Sequence, residues 1–174
     1  KKKIDNLHLP KNYVGIHIRS TDKVLGLFPR LFEIPSKSSI TNFQLDLFLK
    51  NLPLIVRKNS KYKNIYLACD DKNIKEEAKK KLEKYDFNVF ENKGRYFIER
   101  MRQTNGNDFI VDLFCLAGSK IIISSTGGGV PSTAQLLSRK KINIINYLDE
   151  KNIFYFIKIL NHILYNIRKK FKNN

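Results

Sequence analysis

Five short apolar stretches rich in β-branched residues alternate with longer segments whose apolar positions recur at helical spacing. The pattern predicts strands at residues 13–19, 64–69, 87–90, 121–124 and 142–147. Between them it predicts helices at about 40–52, 71–85, 108–119 and 130–138, and a final helix at about 152–170. The punctuation fits. Pro10 precedes the first strand, Ser38 or Ser39 caps the first helix, and Pro53 is expected to break it. Asp70 or Asp71 caps the second helix, and Gly118 is a stop signal for the third. The stretches 20–39 and 91–107 read as polar loops, the second with room for one helical turn. Strands alternating with helices, without a hairpin signal, predict parallel βαβ units. The expected fold is therefore α/β: a three-layer, Rossmann-like parallel sheet of about five strands. Residues 1–174 read as one domain, with 1–12 a linker stub and 152–174 the final helix and a basic tail.

Charge changes this picture only in part. Lys and Arg total 33 against 16 acids, giving +17, and 25 of the 33 are Lys. Recognition of phosphate or bases by bidentate contacts favours Arg, so the excess reads as a bias toward anionic ligands, substrates or membranes and does not establish nucleic-acid binding. Cys69 and Cys115 fall at a buried strand end and on a buried helix face, consistent with free thiols in a cytosolic protein. No apolar stretch is long enough to span a bilayer, and no signal peptide is visible. The expected localisation is cytoplasmic or peripheral at the inner membrane face.

In parallel sheets ligands bind outside the carboxyl ends of the strands. The first strand ends in GIHIRSTDK, with His17 and Arg19 on one face. Two polar side chains there are costly unless they line a cleft, where Arg19 clamps a phosphate and His17 bonds the ligand. The alternative is an Arg reaching solvent or a structural carboxylate. The fourth strand ends in Ser124-Ser125-Thr126-Gly127-Gly128-Gly129, then Val130-Pro131. This tight strand-to-helix turn presents backbone N–H groups and a helix dipole to an anion, and its hydroxyls add donors. One of Asp70 and Asp71 reads as a mere cap, as does Asp108 for its helix. Asp112 lies inside an apolar helical run and is either surface-facing or in need of a partner. Arg95, Arg100 and Arg102 read as solvated loop cations.

Several chemistries find no signature. No G-x-G-x-x-G follows the first strand, and no P-loop is present. Three His and no C-x-x-C argue against zinc, and no D-x-D is available for a metal-bound diphosphate. A phosphate here would be neutralised by Arg, helix dipole and hydroxyls, with no metal or other cofactor.

These segments resemble the fucosyltransferase-like superfamily of glycosyltransferases. GIHIRSTDK is similar to its H-x-R motif, nearest to the α1,6-fucosyltransferases, whose motif also continues into T-D-K. IYLACDD (65–71) and the D-x-x-x-D-L-F-x-L-A…S-S order of 107–125 follow in the family's sequence, so the similarity spans about 13–155. The resemblance implies the carboxyl-terminal, donor-binding half of a GT-B-type enzyme that uses a GDP-sugar, inverts configuration and needs no metal. By position, Arg19 would hold the β-phosphate and promote GDP departure, while His17 and Asp112 would contact the guanosine. The turn Ser124, Ser125, Thr126, Gly127, Gly128 would cradle the diphosphate, and Asp22, Asp70 and Asp71 would support the site. Two positions depart from the pattern. Ser20 stands where the α1,6 group has a second Arg, and 24–28 lacks the Glu thought to act as base, which leaves Asp22, Glu33 or a base from elsewhere.

The resulting expectation is a bacterial glycosyltransferase transferring fucose from GDP-fucose to a glycan or lipid-linked glycan in surface polysaccharide assembly. Its acceptor-binding half would lie outside this chain. The aromatic, basic-ended segment 152–170 suits peripheral contact with anionic lipid, although taken alone a core-packing final helix with a solvated tail is the stronger reading. The rivals are a transferase or epimerase for another nucleotide sugar, and a non-catalytic basic domain that binds nucleic acid.

Overall fold

The computed structural model describes residues 7–19, 39–94, 106–125 and 129–147. The final helix, the 1–6 lead-in, Asp22, Glu33, Arg95, Arg100, Arg102 and the glycine turn Thr126–Gly127–Gly128 lie outside these residues. In chain order the elements are β1 (Val14–Ile18), α1 (Ser39–Asn59), β2 (Asn64–Cys69), α2 (Lys72–Glu83), β3 (Asn88–Phe90), α3 (Gly106–Ala117), β4 (Ile121–Ser124), α4 (Gly129–Leu137) and β5 (Asn143–Asn146). All strand pairs are parallel, in the order β3-β2-β1-β4-β5. The α/β fold expected from the alternating pattern is the one observed.

Alternation along the central strand divides the core in two. Val14, Ile16 and Ile18 face a cluster with Phe48, Leu49, Leu52 and Val56 of α1 and Ala78 and Leu82 of α2. The opposite face carries Tyr66, Ala68 and Ile122 against Val111, Cys115 and Leu116 of α3 and Ala134 of α4. Helix α3 comes so close to β1 that a Cβ on Gly15 would sit 2.9 Å from Leu116. Leu7 and Leu9 pack against this second cluster, which ties that part of the lead-in segment to the core.

One expectation is corrected here. Pro53 does not break α1, which runs through it to Asn59. An interior Pro costs roughly 3 kcal/mol. Beyond it Val56 is fully buried and Ile55 packs on the same cluster. Burying such side chains returns about 1.5–3 kcal/mol each, enough to hold the helix together. Gly118 does follow the end of α3, but no described glycine has a positive φ, so left-handed backbone is not why glycine is needed. A Cβ there would lie 2.6 Å from the Tyr13 hydroxyl. That hydroxyl donates to the Cys115 carbonyl at 2.6 Å, and Ser119 Oγ donates to the Leu116 carbonyl at 2.7 Å. Both carbonyls belong to the last turn, which lacks helical partners of its own. Among the described residues no helix is long and apolar enough to cross a membrane.

Candidate functional site

The strand order reverses between β1 and β4, because β2 and β3 continue on one side of β1 and β4 and β5 on the other. In open α/β sheets a crevice forms at such a point, outside the carboxyl ends, because the flanking helices diverge to opposite faces. The residues there interlock. His17 Nδ1 lies 3.2 Å from Ser124 Oγ, the Arg19 N–H donates to Ser125 Oγ at 3.1 Å, and the Ser125 N–H donates to the His17 carbonyl at 3.0 Å. Ser124 is fully enclosed and Ser125 almost so. Their hydroxyl oxygens thus engage β1, and Ser124 acts on His17.

Register extends this pair into a polar row. His17 is opposite Ser124, and Ser124 is opposite Asn146. Register partners in parallel strands share a face, so the three side chains lie on the α3–α4 side of the sheet, at its carboxyl edge. Among the described residues, the Asn146 Oδ1 is buried without a hydrogen-bond partner. An unmet buried acceptor costs about 1–3 kcal/mol and marks a place for an outside donor. Sequence reasoning passed over Asn146. Its signal was available: a second amide in the NIIN strand, with the same parity as Ile144, at the carboxyl end where sites form.

Asp112 is buried at 7% exposure, which excludes a surface-facing Asp, and its Oδ1 accepts the Tyr66 hydroxyl at 2.5 Å. Tyr66 is fully buried in the middle of β2. Burial, and next the charge of Asp112, push its phenol far above the ordinary range, so it stays a neutral donor. Tyr66 was also missed. A buried Tyr and a buried Asp each need a polar partner, and the two needs are complementary. Cys115 adjoins this pair. Burial is the main cause that pushes its thiol up to about 11, and burial raises Cys69 further, so neither is an activated nucleophile.

The acidic residues separate by role. Asp71 is the N-cap of α2, its Oδ1 accepting the Ile74 N–H at 3.0 Å, while Asp70 sits half-buried at the end of β2. Asp108 is not the expected N-cap. It is the third residue of α3, 2% exposed, and takes the Asn92 amide at 3.1 Å. A cap needs extended backbone before the first turn, and α3 starts two residues earlier. Asn92 also receives Lys75 Nζ at its carbonyl, 2.9 Å, and Lys75 and Lys79 pair with Glu91 at 3.6 and 2.7 Å. Lys75 shares the α2 face of Ala78 and Leu82, spacing that signals a buried charge with a partner. This network ties the end of β3 to the first turn of α3.

The amino end of α4 completes the edge. Gly129 is the first residue of this helix, and a Cβ there would meet nothing within 4 Å among the described residues. A helix N-terminus opening there favours an anion. The arrangement can hold an anionic group at the α4 terminus and a hydrogen-bonding ring or hydroxyl against the His17–Ser124–Asn146 row.

No family model and no curated protein matches the chain. Among solved structures it is similar to POFUT1 in complex with GDP, with 10% identity, 83% of this chain and 48% of that chain covered, and a TM-score of 0.48. It is also similar to POFUT1 in complex with GDP-fucose in two crystal forms, each 12% identical over 83% of this chain, covering 46% and 47% of those chains with TM-scores of 0.46 and 0.47. The chain spans less than half the length of the structures it resembles.

Proposed function

We propose that this chain is the donor-binding half of a glycosyltransferase that transfers fucose from GDP-fucose to a glycan acceptor with inversion. One observation carries the reading: the polar row His17–Ser124–Asn146 spans the switch point of a parallel sheet, with Ser124 ending the strand that leads into α4. The H-x-R resemblance around Arg19 supplies the choice of donor.

In this reading the diphosphate rests between Arg19 and the 126–129 turn. Arg19 stabilises the charge that builds on the β-phosphate as the glycosidic bond breaks. Ser124 orients His17 toward the ribose or base. Asp112 accepts two guanine N–H groups while Tyr66 holds its carboxylate, since a carboxylate has about four acceptor positions. Asn146 offers its amide oxygen to a donor on the same ligand. Asp22 serves as base or supports it, and Asp70 lines the β2 side. Arginine, helix dipole and backbone N–H groups neutralise the diphosphate without a divalent ion.

Thermal shift with GDP-, UDP-, CMP- and ADP-sugars tests the reading. Guanine nucleotides alone should raise the melting temperature, and EDTA should leave the rise intact. At a hundredfold excess over Kd the stabilisation is about 2.7 kcal/mol. Asp112→Asn keeps an acceptor for Tyr66 but cannot accept both guanine N–H groups. It should weaken GDP about 10- to 100-fold and leave UDP unchanged. Equal loss for both nucleotides, or a rise with every nucleotide, would remove the guanine assignment.

A further inference from the structure

Among the described residues, positive charge gathers away from the candidate site. The five segments leading into the strands (7–13, 60–63, 84–87, 118–120 and 138–142) carry eight Lys or Arg against one acid, Asp86. The described residues that follow the strands (19, 70–71, 91–94, 125 and 147) carry Arg19 and Lys93 against Asp70, Asp71 and Glu91. All strands run in one direction, so these sets occupy opposite edges of the sheet. Strands of four to six residues separate the edges by roughly 15 Å. That is about two Debye lengths at physiological salt, so the basic edge contributes little to an anion held at the other edge.

The basic edge also carries apolar surface. Lys11, Lys61, Lys63, Arg139, Lys140 and Lys141 are exposed. Immediately before the Arg139–Lys141 run, in the last turn of α4, Leu136 is 85% exposed and Leu137 is 45% exposed. In the last turns of the neighbouring α3, Phe114 is 49% exposed. Helices α3 and α4 both run back from the carboxyl edge, so their last turns reach the amino edge together.

We propose that the amino edge of the sheet, centred on Leu136, Leu137 and Arg139–Lys141, docks on an anionic phospholipid membrane. Apolar side chains flanked by lysines match the acyl boundary and the phosphate layer of a bilayer, respectively. Nucleic acid is the poorer fit. Seven of the eight basic residues are Lys, which gives point charges and not the planar fork of Arg, and a leucine pair offers no stacking plane for a base. Docked this way, the strand-end site faces away from the lipid. The surface is independent of the donor assignment, because none of its residues belongs to the site.

Sedimentation of the 174-residue chain with vesicles tests the surface. The chain should bind vesicles of phosphatidylcholine mixed with phosphatidylglycerol at physiological salt and should leave vesicles of phosphatidylcholine alone unbound. Each basic side chain near such a surface is worth about fivefold in partitioning. Combined Arg139→Glu, Lys140→Glu and Lys141→Glu should therefore lower it by at least about 100-fold. Leu136→Ser with Leu137→Ser should lower it by about tenfold or more with the charge intact. Arg19→Ala should bind like the wild type, and all variants should keep the wild-type melting temperature. Failure of the wild type to prefer anionic vesicles overturns the proposal, as does wild-type binding by the leucine pair variant. If oligonucleotide displaces the chain from vesicles and the leucine pair has no effect, the edge is a nucleic-acid surface. Loss of vesicle binding by Arg19→Ala would move lipid recognition to the strand-end site.

Discussion

Arg19 and Asn146 bracket the candidate site, and their contributions differ in kind. Arg19 follows the last residue of β1, and its backbone N–H is held by Ser125 across the switch point. If it stabilises charge on a departing diphosphate, Arg19→Ala lowers turnover of the complete enzyme by at least ~100-fold, the scale of losing one preorganised donor. Arg19→Lys should fall almost as far, because a point charge lacks the guanidinium fork. Circular dichroism should remain that of the wild type; an unfolded variant would make Arg19 a structural anchor. For Asn146 the two effects separate. Its Oδ1 has no partner to lose among the described residues, so Asn146→Ala should hold or raise the melting temperature. The same change should weaken GDP-fucose about tenfold by calorimetry. A variant that loses stability and keeps its affinity would assign Asn146 to the fold alone.

At the scale of elements, packing overrides local preference in α1 and builds unusual ends for α3. Helix α1 keeps an interior Pro because the turn beyond it seals one side of the sheet. Pro53→Ala would restore a helical donor worth about 3 kcal/mol and give up about two buried methylenes at about 0.8 kcal/mol each. The expected net gain is about 1–2 kcal/mol. It corresponds to a melting temperature higher by roughly 2–8 °C for a chain of this size. A lower melting temperature would mean that the ring itself fills a space alanine leaves empty. Helix α3 is held at both ends by side chains from elsewhere: Asn92 on Asp108 in its first turn, and Tyr13 on the Cys115 carbonyl in its last. That double attachment sets the depth at which Asp112 meets Tyr66.

Among the described residues, the amino edge of the sheet is basic, and the core holds protonated phenols and thiols. Burial raises Tyr13 and Tyr66 far above the ordinary phenol range and Cys115 from 9 to about 11. The sign follows from linkage. The folded chain keeps these protons while the unfolded chain releases them, so the thiol's share of stability is complete below about pH 9 and is lost as pH rises toward 11, and the phenols' share falls from about pH 10 upward. Thermal melting followed from pH 8 upward should show a steep alkaline fall. Cys115→Ala should make that fall shallower between pH 9 and 11, and an unchanged slope would remove the thiol from the account.

The sequence by itself determined the order and type of the elements, because period-two and helical patterns record which faces must be apolar. It determined the neighbourhood of the site too: a parallel sheet places the residues after Ile18, Cys69 and Ser124 on one edge. Single residues such as Asp71, a cap whose bond reaches only three positions on, were legible for the same local reason. What required the tertiary structure were the pairings across distance. Tyr66 with Asp112, His17 with Ser124 and Tyr13 with the Cys115 carbonyl join residues 46, 107 and 102 positions apart. A buried polar atom announces that it needs a partner, but strand order and register decide which one reaches it. The same holds for the charge. A net +17 is a sum over the chain, and only the common direction of five strands brings eight of its Lys and Arg, in the described segments that lead into the strands, to one edge.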